Sequence, residues 1–447
     1  MRRIIIITFS FHIAFCTPTF SQTDTLSSKA KEKIKTGWTF GAVPAIAFDS
    51  DIGFKYGGVV NFFYYGDGST YPKYKHSLFF EWSRTTKGSG INQFTYDSEH
   101  LIPNIRVSAE ASYLTEKALD FYGFNGYNSE YNMDYEDGES SSYISRMYYK
   151  MERQHLRLRT DFQGKIINNN IKWLAGFTHN NIRIGTVDID NLNEGKPQND
   201  MLPDTALLYD KYLEWGFIKD DQKEGGSCNL IKAGIIYDTR DNESNPMKGL
   251  WTTFQFVMAP SFLGNKDYSF TKIVMTHRQY ITLIPVRLNL ALRVSYQDKI
   301  SGETPFYMLP FIYNSAPSMT RDGLGGAKTL RGIVRNRVVG DDYLYGNIEL
   351  RYKFIKTVIF NQNIYFAIAG FSDFGMVTNK YKFPDNSNNP IAQNYIVSGS
   401  EESLHLSFGS GLYLALNENF VLALNYGLAK DKRDGDSGLY INLNFLY

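Results

Sequence analysis

Residues 286–297 run Val286-Arg287-Leu288-Asn289-Leu290-Ala291-Leu292-Arg293-Val294-Ser295-Tyr296-Gln297, alternating without a fault. Successive side chains of an extended strand point to opposite faces. Val286, Leu288, Leu290, Leu292, Val294 and Tyr296 therefore share one apolar wall, while the other wall carries two arginines. A soluble antiparallel sandwich can also show one apolar and one polar face. What separates the two is repetition, in long strands whose polar face is densely charged. Leu156, Leu158 and Phe162 oppose His155, Arg157, Arg159, Asp161 and Gln163. Leu344, Ile348, Leu350, Tyr352 and Phe354 oppose Tyr345, Asn347, Glu349, Arg351 and Lys353. Phe420, Leu422, Leu424, Tyr426 and Leu428 oppose Val421, Ala423, Asn425 and Gly427. Lipid outside and a wet lumen inside impose this pattern on a transmembrane antiparallel β-barrel, an all-β fold.

The rest of the composition agrees. The 32 tyrosines and 32 phenylalanines suit the aromatic girdles of such a barrel. A mean hydropathy of -0.32 averages the lipid face with the lumen. The net charge of +1 gives no reason to expect nucleic acid. Arg2 and Arg3, the apolar run Ile4 to Phe15, and Thr19-Phe20-Ser21 make residues 1–21 a secretory signal peptide. Residues 22–35 form a short periplasmic segment, and 36–447 one barrel domain. Phe15 before Cys16 is a poor fit to lipoprotein processing. Removal of Cys16 leaves Cys228 alone, which excludes an internal disulfide and a cysteine metal site.

Turns at Gly, Pro, Asn and Asp divide the domain into about sixteen strands, an even number as bacterial barrels require. Connections after even-numbered strands are short: 66–68, 103–104, 168–170, 284–285 and 417–419. Several after odd-numbered strands are long: 116–146, 189–225, 301–341 and 378–400. Short periplasmic turns and long outer loops place the N-terminus in the periplasm.

Four segments go beyond a generic barrel. Leu330-Arg331-Gly332-Ile333 lies within the 301–341 loop, and Phe371-Ser372-Asp373-Phe374-Gly375 near the outer end of strand thirteen. Tyr237-Asp238-Thr239-Arg240-Asp241 and Pro246-Met247-Lys248-Gly249 flank the turn between strands eight and nine. Strand twelve carries Gly346-Asn347-Ile348-Glu349-Leu350-Arg351. Together they resemble the barrel domain of the BamA/TamA-type outer-membrane assembly factors, the bacterial surface antigen superfamily that includes two-partner secretion transporters. That resemblance implies that the 301–341 loop folds into the lumen and that Arg331 pairs with Asp373. It also implies a first-to-last seam that opens sideways. Two departures stand out. Ile333 replaces the usual aromatic residue after Arg-Gly, so a looser loop is expected. Gln22 to Lys35 is too short for POTRA domains, so the expectation is a member without them, served by a separate periplasmic partner.

Physical chemistry supports the pair independently. A guanidinium fork matches a carboxylate, and a narrow lumen screens the pair less than a surface does. Gly332 permits a tight tip. On strand thirteen Tyr365, Ala367, Ala369, Phe371, Asp373 and Gly375 share the lumen face, with small residues leaving room for a loop. A hairpin centred near Ile359 would place Asp373 opposite Tyr345, with Glu349 deeper. The plainer reading is a loop arginine and a rim aspartate unrelated to each other. Asp238, Arg240, Asp241, Pro246 and Gly249 suit a well-formed turn as much as a functional surface. Gly37, Gly41 and Pro44 weaken the first strand, since proline cannot donate to a ladder. The last strand presents Leu439, Ile441, Leu443, Phe445 and Tyr447 to lipid, so Tyr447 belongs to the seam.

The sequence has no Gly-x-Ser-x-Gly, His-Glu-x-x-His or phosphate-binding glycine loop, and its seven histidines are scattered. A Ser-His barrel lipase is a minor alternative; the expectation is no enzyme, no metal and no cofactor. Two function classes follow. One is an assembly or translocation factor of the Gram-negative outer membrane, a monomer in outer-membrane lipid with envelope proteins or lipids as clients. The alternative is a passive structural or pore-forming barrel.

Overall fold

The computed structural model describes residues 33–49, 53–168, 170–314, 320–384, 390–443 and 445–447. The expected signal peptide, 1–21, and most of segment 22–35 lie outside the described residues. The wall begins with β1 (Trp38–Pro44), β2 (Gly53–Tyr64), β3 (His76–Thr85) and β4 (Gly90–Ile102). It continues with β5 (Ile105–Asp120), β6 (Lys150–Ile167), β7 (Ile171–Gly185) and β8 (Gly225–Asp238). Then come β9 (Gly249–Ala259), β10 (Phe270–Ile284), β11 (Leu288–Gly302) and β12 (Asp342–Ile359). Last are β13 (Gln362–Asn379), β14 (His405–Leu416), β15 (Phe420–Ala429) and β16 (Ser437–Leu443). Each strand pairs antiparallel with its neighbours in sequence, from β1 to β16. Among the described residues no helix is long and apolar enough to cross a membrane; the chain crosses with strands.

Alternation sorts the faces as the lipid and lumen demand. On β11, Asn289, Ala291, Arg293, Ser295 and Gln297 are buried, while Val294 and Tyr296 are exposed. Val286 and Arg287 belong to the preceding turn, where Pro285 has no N–H to offer a ladder and Val286 takes a φ of 66°. On the lipid face of β1–β4, Phe40, Phe62, Phe80 and Phe94 form a row with ring centroids 5.0–6.4 Å apart. Beside it run Trp38, Tyr64, His76 and Tyr96, each ring 4.9–6.1 Å from the next. Rings that are apolar in body and polar at the tip suit the membrane boundary.

The connections keep the expected asymmetry. Turns 103–104, 168–170, 285–287, 360–361 and 417–419 follow even strands, and loops 121–149, 186–224, 303–341 and 380–404 follow odd ones. Two periplasmic connections, 65–75 and 239–248, are longer than a tight turn. Above the wall the outer loops gather an aromatic roof. Phe121, Tyr122, Phe124, Tyr149, Tyr209, Tyr212, Phe217, Phe306 and Tyr381 are buried in one cluster. Tyr212 lies on α1 (Leu208–Glu214) and has no exposed surface. Edge-to-face contacts with Phe121 and Phe124, centroids 5.2 and 5.5 Å away, hold it.

The two ends of the wall depart from a simple alternation. β1 stops at Pro44, resumes for Ala47–Asp49, and both pieces pair with β2. β16 stops at Leu443, with Leu439 and Ile441 exposed as read. Phe445 and Tyr447, however, do not face lipid; they turn into the lumen and are more than nine-tenths buried. Two inward-pointing arginines offer them faces to stack on. Arg351 lies 4.3 Å from the Phe445 ring and Arg293 lies 4.9 Å from the Tyr447 ring. The Tyr447 hydroxyl donates to the Ala291 carbonyl at 2.9 Å, a partner that lipid could not supply. Phe420 is likewise buried rather than lipid-facing, packed with Phe63 and Tyr65 of the first hairpin.

A membrane-impermeant maleimide on intact cells should label Ser141→Cys, in the 121–149 loop, and leave Arg287→Cys untouched until the cells are broken. The reverse pattern would invert the topology.

Candidate functional site: the inserted loop and the seam

The 303–341 loop ends inside the lumen in a small hairpin. Leu324 and Val338 form an antiparallel bridge, and the Gly326 N–H donates to the Ile333 carbonyl at 2.9 Å. The Thr329 hydroxyl accepts from the Gly325 N–H at 2.9 Å and ties the turn. Leu330 and Ile333 have no exposed surface and pack with Ile312, Tyr343 and Tyr345. Isoleucine at 333 fills its place, so the looser packing expected there does not occur.

Arg331 stands at the tip, wholly buried. Its Nε and Nη2 donate to the two carboxylate oxygens of Asp373, each at 2.8 Å, and its main-chain N–H adds a third bond at 2.9 Å. Its Nη1 donates to Glu349 Oε1 at 2.5 Å. The guanidinium lies over the Phe371 ring, 3.5 Å from its centre. Burial pushes the Arg331 pKa down, but Glu349 and Asp373 more than offset this and hold it well above its ordinary value. The loop tip thus carries a fixed charge in a forked, two-carboxylate grip.

The ladder explains why both acids reach it. Asp373 lies opposite Asn347 rather than Tyr345, and Glu349 lies opposite Phe371. The shift of two comes from a turn at Phe360–Asn361 and a bulge between Lys353 and Ile355. Gly375 gives the loop its room, since a Cβ there would lie 2.9 Å from Leu324 Cδ1. Gly332 has a φ of 97°, and a Cβ on it would stand 2.6 Å from the Leu428 nitrogen of β15. Only glycine allows that backbone-to-backbone approach.

The lock extends beyond the Arg331–Asp373 pair, to Tyr440, which the motifs did not single out, and to Glu349, Arg351 and Tyr447, which they did. The Gly332 N–H donates to the Tyr440 hydroxyl on β16 at 3.0 Å. Arg351 Nε donates to the second oxygen of Glu349 at 2.7 Å, and its Nη2 to the Tyr447 main-chain oxygen at 3.1 Å. Glu349 therefore joins the loop tip to the segment 445–447. The signal was present as Glu349 and Arg351, two apart on the lumen face of β12. On the loop's flank, Arg153 and Arg335 share Glu116 and Asp322 at 2.6–3.0 Å.

The turn motif between β8 and β9 builds a strap. Asp238 takes a bidentate pair from Arg240 at 2.9 Å, and Asp241 Oδ1 accepts from the Met247 and Lys248 N–H groups. Asn289 donates to the Pro246 carbonyl, and Gly249 has a φ of 98° where the strand restarts. These contacts are structural. The tip reaches further: Glu243 pairs with Arg106 of β5 at 2.8 Å, and Asn245 donates to Glu418 of the β14–β15 turn at 2.8 Å. The strap therefore crosses the periplasmic mouth from one wall to another.

At the seam, Gly37 takes a φ of 62° in the bend before β1. Gly41 is where the ring of Phe420 from β15 sits; a Cβ would lie 2.4 Å from it. Val43 and Leu443 pack against the same cluster. Pro44 pairs opposite Gly58 and ends the strand. Among the described residues no register of paired residues joins β1 to β16. Tyr447 is not at the seam, because Arg293 and Arg351 hold it across the lumen against β11 and β12.

Residues 103–445, which contain both partners of the lock, match the Omp85 superfamily domain. The chain belongs to the Omp85 superfamily. Among solved structures, CdiB from Escherichia coli matches 92% of this chain with a TM-score of 0.51 at 11% identity. BamA from Haemophilus ducreyi lacking POTRA domains 1-3 matches 92% at a TM-score of 0.47 and 14% identity. The chain covers 62% and 69% of those two chains. Likeness at such identity is likeness of fold. Among curated proteins, none matches the sequence. Superfamily and fold make the protein an outer-membrane β-barrel.

Arg331→Ala should lower the temperature at which the folded barrel loses its compact gel mobility, because it strands Asp373 without its partner. Breaking a buried ion pair costs about 3–5 kcal/mol. Asp373→Ala should add little to Arg331→Ala, and Arg331→Lys should not restore stability, since an ammonium lacks the fork. Additive losses in the double variant would mean that the pair does not hold the loop.

Proposed function

We propose that this Omp85-superfamily barrel works in the outer membrane of a Gram-negative bacterium, passing envelope proteins into or across the membrane through the wall between β1 and β16. The observation that carries this is the pairing state of those two strands. Elsewhere each strand is held to its neighbour by a ladder, interrupted only at bulges. Here, among the described residues, the join runs through the Phe420 ring of β15, which sits over Gly41 and against whose cluster Val43 and Leu443 both pack. An unpaired backbone group in lipid costs several kcal/mol. A partner strand that satisfies these edges is therefore favoured where the described residues of the wall form no ladder of their own, and an extended client segment is such a strand.

The filling of the lumen supports this reading over a passive pore. The aromatic roof closes the outer end, the Arg331 hairpin occupies the middle, and the strap crosses the mouth. A large open barrel would instead leave an aqueous channel. In this proposal the protein acts as a monomer in outer-membrane lipid, with a separate periplasmic protein delivering clients.

Depletion of the protein, followed by an inventory of outer-membrane proteins, should show selective loss of clients. An unchanged inventory would return the passive barrel. In the same cells, a cleavable bismaleimide joining Val43→Cys to Leu443→Cys should abolish function while the compact gel mobility persists, and cleavage should restore it. Full activity of the joined protein would end the lateral-seam reading.

A further inference from the structure

On the lumen wall of β10 and β11, positive charge goes unanswered by any carboxylate among the described residues. Arg106, Arg153, Arg157, Arg331 and Arg351 each end on a carboxylate at 2.5–3.0 Å. Arg278 and Arg293 do not. They lie directly opposite each other in the β10–β11 ladder, with their side chains on the lumen face. Like charges so placed repel. Arg293 donates to Asn347 Oδ1 at 2.7 Å and to main-chain oxygens at 3.4 Å, and it lies against the Tyr345 and Tyr447 rings, but among the described residues it meets no carboxylate. Among the described residues, Arg278 makes no hydrogen bond and no ion pair. Its guanidinium rests on the Trp251 ring, 4.4 Å from its centre, and its Nε is buried without a partner.

The neighbouring groups are unsatisfied as well. Tyr280 follows Arg278 on the same face of β10, and its hydroxyl is buried with no partner. Thr253, opposite Thr276 on β9, is fully buried with its hydroxyl unpartnered. Buried polar groups without partners each cost free energy. Here three of them, on two adjacent strands, lie along one stretch of wall beside Arg293 of the next strand. All can donate. This differs from the lock, where a single arginine fork satisfies the planar carboxylate of Asp373. Two guanidinium groups and two hydroxyls on three strands offer donors in more than one plane, as a tetrahedral anion requires.

We propose that the wall around Arg278 and Arg293, with Tyr280 and Thr253, binds a phosphate group, as inorganic phosphate or as the headgroup of a phospholipid. The site faces the lumen below the inserted hairpin, since Arg293 also donates to the Lys328 carbonyl of that loop. It uses no residue of the Arg331 lock or of the seam, so it stands or falls apart from the lateral-opening proposal.

The test uses the full chain in detergent micelles, titrated with inorganic phosphate against chloride at equal ionic strength. In parallel it is titrated with dihexanoyl phosphatidylglycerol. The readouts are tryptophan emission, because Trp251 lies beneath Arg278, and the midpoint of thermal loss of compact gel mobility. Phosphate should give a saturable emission change, absent in Trp251→Phe, and a rise in midpoint. Arg278→Gln should raise the midpoint in phosphate-free buffer, by removing an unpaired charge, and should weaken phosphate binding roughly tenfold or more. Arg278→Lys, which keeps the charge without the fork, should bind less tightly than the native chain. A response to the lipid alone assigns the headgroup; a response to both at equal strength assigns the free anion. No saturable response to either probe would overturn the site. So would an undiminished response in Arg278→Gln. A midpoint lowered equally with and without phosphate in that variant would make Arg278 a structural prop and overturn it too.

Discussion

A positive charge placed inside a protein has to be answered, and the arrangement of this lumen follows from how the Arg331 charge is answered. Asp373 and Glu349 come from adjacent strands, so the guanidinium can satisfy both only at one height and one angle in the barrel. That requirement fixes the loop tip to a fraction of a turn. The apolar residues on either side, Leu330 and Ile333, then fill the space between loop and wall. Gly332 and Gly427 permit the closeness: a Cβ on Gly427 would lie 2.7 Å from the Arg331 carbonyl carbon. Desolvating three charges is expensive, and only geometry this complete returns the cost.

The same carboxylate that receives the loop also receives the end of the wall. Glu349 gives one oxygen to Arg331 and the other to Arg351, and Arg351 holds Phe445 and Tyr447. The loop tip in turn takes the Tyr440 hydroxyl from β16. Loop and last strand are thus mechanically joined through three side chains, so that neither moves far without disturbing the other. Coupling of this kind needs a contiguous physical network, and here it is visible bond by bond.

Much of this was written in the alternation of the strands. Arg293, Arg157 and Asp373 were placed on the lumen face by period alone, because a barrel wall has only two faces. Alternation fails where a strand stops being one. Phe445 and Tyr447 continue the outward phase of Leu439 and Ile441, yet Arg293 and Arg351, remote in sequence, draw them inward. The Asp373 register was displaced because the hairpin turns at Phe360–Asn361, and a bulge at Lys353–Ile355, which leaves no mark in a run of mixed side chains, takes back one residue of that shift. The strap was legible as a turn; its reach to Arg106 and Glu418 was not, since a sequence does not announce which walls a hairpin will touch. Phe420 followed the lipid phase and was covered by the neighbouring first hairpin, through the space that Gly41 leaves empty.

The brevity of the terminal strands has a consequence for the membrane itself. β1 is broken after seven residues at Pro44 before it resumes at Ala47–Asp49, and β16 runs seven residues to Leu443, whereas a tilted strand uses about 9–11 to cross the hydrocarbon. A bilayer that meets too short an apolar wall must thin or leave polar backbone in contact with acyl chains. Around most of the circumference the strands are long enough to impose no such strain. Along this one edge the regular wall is shortest, so a bilayer that thins to match it carries a weak line beside the barrel.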